Sequence, residues 1–223
     1  GAGAGKTTTM SQRVLYMVAH HGIEPERILG LTFTRKAAGE LGLKMRQDLG
    51  VLASNLGRSF QGDPTALTYN SFAARILGEY GATIGVDPDS RLIGQAQQVQ
   101  ILTEIVQNWR GEYPEEDGRY KPTSSIVAAV LALSGHIAEQ NMTLDQGAKA
   151  LRAFSEELEE IAQSAGKGPT GSLKSMISVN ANRILLLEMA RVFEDYKRSH
   201  GLIDFSDQLL LATRIVTENA SVV

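Results

Sequence analysis

The first eighty residues place apolar side chains alternately at helical spacing and in short continuous runs. Between Thr7 and His21 the apolar positions recur every three or four residues, which predicts a helix that Gly22 can end. Residues 28–34 form a short apolar run with the composition of a buried strand. A second helix is predicted from Lys36 to Leu49.

A second strand and a third helix repeat this order. The glycines and the proline of residues 50–65 predict a loop, and residues 66–69 predict a short strand. A helix then begins at Asn70 or Ser71, either of which can cap it. Strands that alternate with helices are typical of βαβ units, so this part is predicted to be α/β with a mostly parallel sheet.

After Gly81 the strand-like runs end and helical spacing takes over for the next hundred or so residues. Four helices are predicted there, at residues 94–109, 124–141, 144–164 and 175–200, with linkers at 111–123 and 166–171. Thr143 and Gln146 are spaced as a capping box. We expect an all-helical subdomain inserted beside the α/β part.

Two groups of acidic residues lie on the later helices. The run from Glu156 to Glu160 is interpreted as a solvated helix face. Asp204 can cap a helix that reaches about Thr217, and Asp207 lies on the same face. This pair could orient a basic partner or a metal-bound water, but a cap plus a surface charge is the simpler interpretation.

The composition is that of a soluble globular protein, and its charge is unevenly distributed along the chain. The 223 residues carry a net charge of −3 and contain no cysteine, which excludes disulfides and thiolate metal sites. Residues 1–80 hold nine Lys and Arg against six Asp and Glu, whereas residues 81–223 hold thirteen against nineteen. The positive excess of the first part suits a polyanionic ligand. No apolar run approaches the ~20 residues of a membrane span, so we expect a cytoplasmic location without membrane contact.

The candidate chemistry begins with a glycine-rich segment that runs into Lys-Thr. Alternating glycines let consecutive backbone N–H groups turn toward an anion, and the helix that follows adds its positive end. The pattern predicts a phosphate-binding loop, in which Lys6 reaches the β- and γ-phosphates and the Thr7 hydroxyl holds Mg²⁺. A flexible N-terminal tail is the alternative interpretation. The predicted nucleotide-binding residues are Gly1, Ala2, Gly3, Ala4, Gly5, Lys6, Thr7 and Thr8.

Hydroxyl, aromatic and basic residues also gather where each predicted strand ends and the next helix begins. Because ligands bind outside the carboxyl ends of strands in open α/β sheets, these two junctions are predicted to share a ligand surface. Their residues could hold a phosphodiester backbone and stack on bases, although a capped helix start with solvated cations is the alternative. The residues are Thr32, Phe33, Thr34 and Arg35 at the end of the first strand, and Tyr69, Asn70, Ser71 and Phe72 at the end of the second.

In combination these segments resemble the first motor domain of the UvrD/Rep/PcrA-type superfamily I DNA helicases. The glycine-rich segment resembles their motif I, residues 32–38 resemble motif Ia (commonly TFTNKAA), and residues 68–77 resemble motif Ib (commonly TFHSF followed by R-x-L). Residues 204–209 are similar to the D-F-x-D-L segment upstream of motif II. All four stand in the family's order, with a helical subdomain before the last.

The resemblance implies a P-loop NTPase with a RecA-like parallel sheet, here incomplete, and an all-helical inserted subdomain. It assigns residues 1–80 and 201–223 to the motor and residues 81–200 to the insertion. It implies an ATP- and Mg²⁺-dependent helicase that moves on single-stranded DNA and unwinds duplex DNA in repair or recombination. Lys6 and Thr7 would be its catalytic residues in this chain, and residues 32–35 and 69–72 would bind DNA.

The sequence also departs from the family pattern. Arg35 stands where Asn is commoner, and Asn70 stands where His is commoner. No Asp-Glu pair of motif II follows Asp207 in this chain, so we expect the pair within a few tens of residues after Val223. We therefore expect the chain alone to bind nucleotide weakly and not to hydrolyse it at a useful rate.

Two other interpretations stay open. The same motifs occur in the motor of RecB-like helicase–nuclease subunits, which would add a partner subunit. A P-loop scaffold or kinase that does not act on DNA would share the glycine-rich segment alone.

Overall fold

The computed structural model describes residues 5–87, 89–116, 118–164 and 170–219, and the chain divides into two compact units between Glu79 and Tyr80. Three sequence predictions lie wholly or partly outside the described residues. They are the first four residues of the glycine-rich loop, most of the linker at 166–171, and the last four residues of the chain.

The first unit alternates helices with two short strands. In chain order its elements are α1 (Lys6–His21), β1 (Leu29–Thr32), α2 (Arg35–Leu56), β2 (Thr65–Thr68) and α3 (Tyr69–Tyr80). The two strands pair in parallel, with Leu29 opposite Thr65 and Thr32 opposite Thr68. The predicted order of strand and helix is confirmed, and so is the end of α1 at Gly22, which has a φ of 62°.

Helix α2 is longer than predicted, so the loop prediction is wrong for residues 50–56. The reason is tertiary packing, because Leu52 continues the inward face of α2 made by Leu41, Met45 and Leu49. That contact outweighs the roughly 1 kcal/mol by which a glycine such as Gly50 weakens a helix. The helix ends instead at Gly57, which takes a φ of 62°.

The core of the first unit lies between α1, α2 and the strands. Val14 and Val18 of α1 share it with three buried residues of α2. Gly30 of β1 lets α2 lie close to the sheet, since a Cβ there would come within 2.9 Å of Leu41 Cδ2. This close packing of α2 on β1 therefore sets the position of the strand relative to the helix.

The second unit is mostly helical. Its helices are α4 (Gln95–Gln107), α5 (Thr123–Glu139), α6 (Leu144–Ser164), α7 (Gly171–Ser199) and α8 (Phe205–Glu218). The capping box of Thr143 with Gln146 is confirmed by reciprocal hydrogen bonds of 3.2 and 2.8 Å. The side chains from Glu156 to Glu160, except the buried Leu158, are exposed as predicted.

Short strands also occur where none was predicted. They are β3 (Arg91–Leu92), β4 (Glu115–Glu116), β5 (Arg119–Tyr120) and β6 (Leu202–Ile203). β3 and β6 pair in parallel, and β4 and β5 form an antiparallel hairpin. Strands of two residues are too short to produce an alternating pattern of apolar and polar positions, so they could not be predicted from the sequence.

The main core of the second unit joins α4, α5 and α7. Leu102, Val106, Val130, Met189 and Phe193 lie in it with almost no exposed surface. Helix α6 packs along α7, and α8 contacts α5. Residues 201–219 thus belong to the second unit in this structure, while their assignment to a motor subdomain stays a prediction.

The described residues therefore form a helix-rich α/β structure with small parallel sheets. None of the helices within the described ranges is both long and apolar enough to cross a membrane.

Candidate functional site

The N-terminus of α1 is arranged as an anion-binding helix start. Gly5 caps it with a φ of 70°, a conformation that residues other than glycine rarely adopt. The Gly5 carbonyl accepts the N–H of Thr9 at 2.9 Å, which closes the first helical turn. The side chain of Lys6 is exposed, Thr7 is half-buried, and Thr8 is exposed.

The electrostatics of this helix start favour a negative ligand. The first turn of α1 contains no acidic residue, and its free N–H groups carry the positive end of the helix dipole. Lys6 adds a full positive charge at the same end. The four residues from Gly1 to Ala4, which were predicted to complete the loop, lie outside the described residues.

The residues at this helix start also fit a magnesium ion held mainly by a nucleotide. Among the described residues, no group of three or more His, Asp or Glu side chains could hold a metal ion. Mg²⁺ beside a triphosphate is typically bound by one or two protein oxygens together with phosphate oxygens and water. The Thr7 hydroxyl is the protein oxygen that would hold the ion, which would then neutralise phosphate charge during phosphoryl transfer.

The carboxyl ends of β1 and β2 meet and bring two aromatic rings together. The last residues of the strands, Thr32 and Thr68, lie opposite each other in the parallel ladder. Phe33 and Tyr69 follow them directly, and their ring centroids lie 5.2 Å apart with an angle of 39° between the planes. Phe33 is 90% exposed and Tyr69 is 45% exposed. We call Phe33 and Tyr69 the aromatic edge.

Several hydroxyls at this edge are used by the fold itself. Thr34 caps α2, since its side chain accepts the N–H of Ala37 at 3.1 Å. Thr68 caps α3 by accepting the N–H of Ser71 at 3.0 Å, and its hydroxyl lies 2.8 Å from the Ser71 hydroxyl. The prediction that Asn70 or Ser71 caps α3 is therefore wrong, because the strand residue Thr68 takes that role.

The other residues that were predicted to bind DNA lie close to the aromatic edge in the sequence. The side chain of Arg35 is exposed, and those of Asn70 and Phe72 are half-buried. Lys36 lies beside Arg35 and forms an exposed ion pair with Glu40, at 3.9 Å. The edge thus offers aromatic faces and cations to solvent.

A buried polar contact that was not predicted from the sequence joins α1 to α2. Ser11 of α1 is fully buried, and its hydroxyl donates to Asp48 Oδ2 of α2 at 2.6 Å. The other oxygen of Asp48 accepts Lys44 Nζ at 2.8 Å. The hydrogen bonds from Lys44 and Ser11 hold the pKa of Asp48 below its usual value. We call these three residues the α1–α2 brace.

The D-F-S-D segment surrounds a buried lysine of α7. Lys197 is 2% exposed, and its Nζ lies 2.8 Å from Glu194, 2.8 Å from Asp204 and 2.7 Å from Asp207. The predicted cap is confirmed, since Asp204 accepts the N–H groups of Ser206 and Asp207. The prediction of a mere surface charge is wrong, because Asp207 turns inward to Lys197 as well as to the Asp204 N–H.

The charges of this cluster perturb one another. Burial raises the pKa of Glu194 to about 7, and the attraction of Lys197 only partly offsets it. Burial also raises the pKa of Asp207. For Lys197, burial alone would lower the pKa of the ammonium, but the three carboxylates outweigh it and raise the pKa. Lys197 therefore stays charged, while Glu194 is protonated at a higher pH than an ordinary glutamate.

The sequence is similar to those of known DNA helicases. A family model described as UvrD/REP helicase N-terminal domain matches residues 1–223. The chain is 31% identical over 107 residues to the ATP-dependent DNA helicase SRS2 of Saccharomyces cerevisiae and 30% identical over 117 residues to a probable DNA helicase II homolog of Mycoplasma capricolum. It is 28% identical over 108 residues to the ATP-dependent DNA helicase PcrA of Staphylococcus aureus.

These matches cover about half of the chain but a small part of each relative. The stretch matched to SRS2 is 48% of this chain and 9% of that relative. The corresponding shares are 52% and 15% for the helicase II homolog and 48% and 14% for PcrA.

Proposed function

We propose that this chain, which belongs to the UvrD/REP helicase N-terminal domain family, is the ATP-binding part of a helicase that moves on single-stranded DNA and unwinds duplex DNA. The observation that carries the proposal is the aromatic edge. The two segments predicted to contact DNA come from residues more than thirty positions apart, and their exposed rings lie 5.2 Å from each other.

Each part of the proposal has a physical basis. Exposed aromatic rings stack on bases of any sequence, at about 1–3 kcal/mol per base. Arg35 and Lys36 begin α2 beside the rings and can neutralise phosphates, which makes binding dependent on salt. The α1 helix start, with Lys6 and Thr7, would hold the triphosphate and Mg²⁺ of ATP.

Hydrolysis needs more groups than these. Phosphoryl transfer requires a positioned water and further charge on the transferring phosphate, and no Asp-Glu pair follows Asp207 in this chain. Residues 1–223 alone are therefore expected to bind nucleotide weakly and to turn over no ATP at a useful rate. A RecA-like motor sheet, a role in DNA repair or recombination, and a helicase–nuclease partner subunit of the RecB type are finer parts of the proposal.

Titration of a fluorescent oligo-dT with the protein tests the role of the aromatic edge. We expect Phe33→Ala and Tyr69→Ala each to weaken binding about 5- to 160-fold, the range that corresponds to loss of one stacked base. Tyr16→Ala is a matched control, since Tyr16 is also an exposed aromatic residue of the first unit but lies on α1.

Two results would count against DNA binding at this edge. One is equal affinity of the wild type and both edge variants for oligo-dT. The other is an equal loss in Tyr16→Ala. Absence of any DNA binding, together with phosphorylation of a small molecule, would favour the kinase alternative.

A further inference from the structure

The α1–α2 brace is a polar contact within an otherwise apolar interface. The buried residues that α1 and α2 contribute to their shared core are Val14, Val18, Leu41, Met45 and Leu49. Among the hydrogen bonds between described residues, Ser11 to Asp48 is the one that joins these two helices. Apolar contact is non-directional, whereas a charge-assisted hydrogen bond of 2.6 Å fixes a distance and an angle.

The position of the brace connects the two ligand-binding ends of the first unit. Ser11 lies five residues after Lys6, about 7.5 Å along α1 at the helical rise per residue. Asp48 and Lys44 lie on α2, the helix that begins directly after Phe33 and Thr34. One helix therefore starts at the proposed phosphate site, the other starts at the aromatic edge, and the brace ties them together.

We propose that Ser11, Asp48 and Lys44 are positioning residues that transmit the nucleotide state of α1 to the DNA-binding edge at the start of α2. When nucleotide binds at the N-terminus of α1 and that helix moves, the α1–α2 brace makes α2 move with it. Without the hydrogen bond, the apolar side chains of α1 could slide over those of α2. Lys44 keeps Asp48 ionised and oriented toward Ser11. This inference rests on the proposed function, since it needs both ligands to bind.

The test is a thermodynamic linkage measurement on the full-length protein. The affinity for oligo-dT is measured with and without Mg²⁺ and a non-hydrolysable ATP analogue, and the affinity for the analogue is measured with and without oligo-dT. The ratio in each case is the coupling factor, and the two ratios must agree. Coupling factors between two sites are typically about 5- to 150-fold, and we expect the wild type to fall in this range.

Ser11→Ala and Asp48→Ala are each expected to lower the coupling factor about 2- to 30-fold, because neither retains the bond between the helices. Asp48→Asn keeps an oxygen that can accept the Ser11 hydroxyl, so it should retain more coupling than Asp48→Ala. It also serves as the second variant if an alanine substitution prevents folding. A purely structural role would lower stability in all three without this order of coupling.

Ser54→Ala is the matched control. Ser54 is an exposed serine of α2 whose hydroxyl donates to the Gly50 carbonyl at 3.0 Å within the same helix. Its loss should leave the coupling factor unchanged.

The proposal is overturned if folded brace variants keep the wild-type coupling factor, if Ser54→Ala lowers it equally, or if the wild type binds both ligands without coupling. Failure of the proposed function gives a different result, in which the wild type does not bind oligo-dT or does not bind the ATP analogue.

Discussion

Replacement of Lys197 by methionine should strongly destabilise the second unit. Methionine matches the length of the lysine stem but removes the charge that Glu194, Asp204 and Asp207 share at 2.7 to 2.8 Å. The three carboxylates would then repel one another in a partly buried site, in which the side chains of Asp204, Asp207 and Glu194 are 10%, 21% and 30% exposed. Removal of one partner from a buried ion pair costs about 3–5 kcal/mol.

That loss is large compared with the stability of a typical domain, which is about 5–15 kcal/mol. It should be smaller at pH 5 than at pH 8, because protonation of the carboxylates relieves their repulsion once the lysine is gone. We therefore expect Lys197→Met to unfold at a much lower urea concentration than the wild type at pH 8, with part of the difference recovered at pH 5.

The assay is equilibrium unfolding in urea, followed by tryptophan fluorescence. The sequence contains one tryptophan, and Trp109 lies in the second unit against its main core. Its signal therefore reports the unit that contains Lys197. Lys121→Met is the matched control, since Lys121 pairs with Glu116 at 2.9 Å on the exposed hairpin, and an exposed pair contributes only about 0–1 kcal/mol.

A loss of stability in Lys197→Met no larger than that in Lys121→Met would refute a stabilising role of the Lys197 charge. That role would also be refuted if the loss were the same at pH 5 and pH 8.

Two further predictions concern pH and helix capping. Glu194 has a folded pKa of about 7, raised from 4.5, so its contribution to stability is fully present below pH 4.5 and is lost as the pH rises through 7. Glu194→Gln should remove this pH dependence and raise the urea midpoint at pH 8. An unchanged dependence of the urea midpoint on pH in Glu194→Gln would contradict this prediction. Thr68→Val removes the cap of α3 and should lower the free energy of unfolding of the first unit by about 0.5–2 kcal/mol, measured by circular dichroism in urea. Ser54→Ala is the control, since the Ser54 hydroxyl donates to the Gly50 carbonyl on an exposed face of α2 in the same unit; an equal loss of stability in both variants would argue against a specific role for the cap.

Features that depend on residues close together in the sequence could be predicted from it. Helical spacing located α1, Gly22 marked its end, and Asp204 marked the start of α8. The aromatic edge was also predictable, because Phe33 and Tyr69 lie at the ends of the two predicted strands and parallel strands end on the same side of a sheet. These signals are local or follow from a simple rule of sheet topology.

Features that depend on distant contacts could not be predicted. Lys197 stands among Glu194, Asp195 and Arg198, a local pattern typical of a solvated helix face, and only the return of the chain at Asp204 buries it. Ser11 and Asp48 are 37 positions apart, so nothing near either residue indicates their bond. Gly50 likewise stays in α2 because of packing that its neighbours in sequence do not reveal.

The central claim, that the α1 helix start serves an ATP-driven motor on DNA, is tested most directly by the ATPase rate of the full-length protein with and without single-stranded DNA. We expect DNA to stimulate hydrolysis in the wild type, and we expect Lys6→Ala to abolish the stimulated activity in a protein that still folds. Hydrolysis that is indifferent to DNA, or stimulated hydrolysis that survives in Lys6→Ala, would contradict the account.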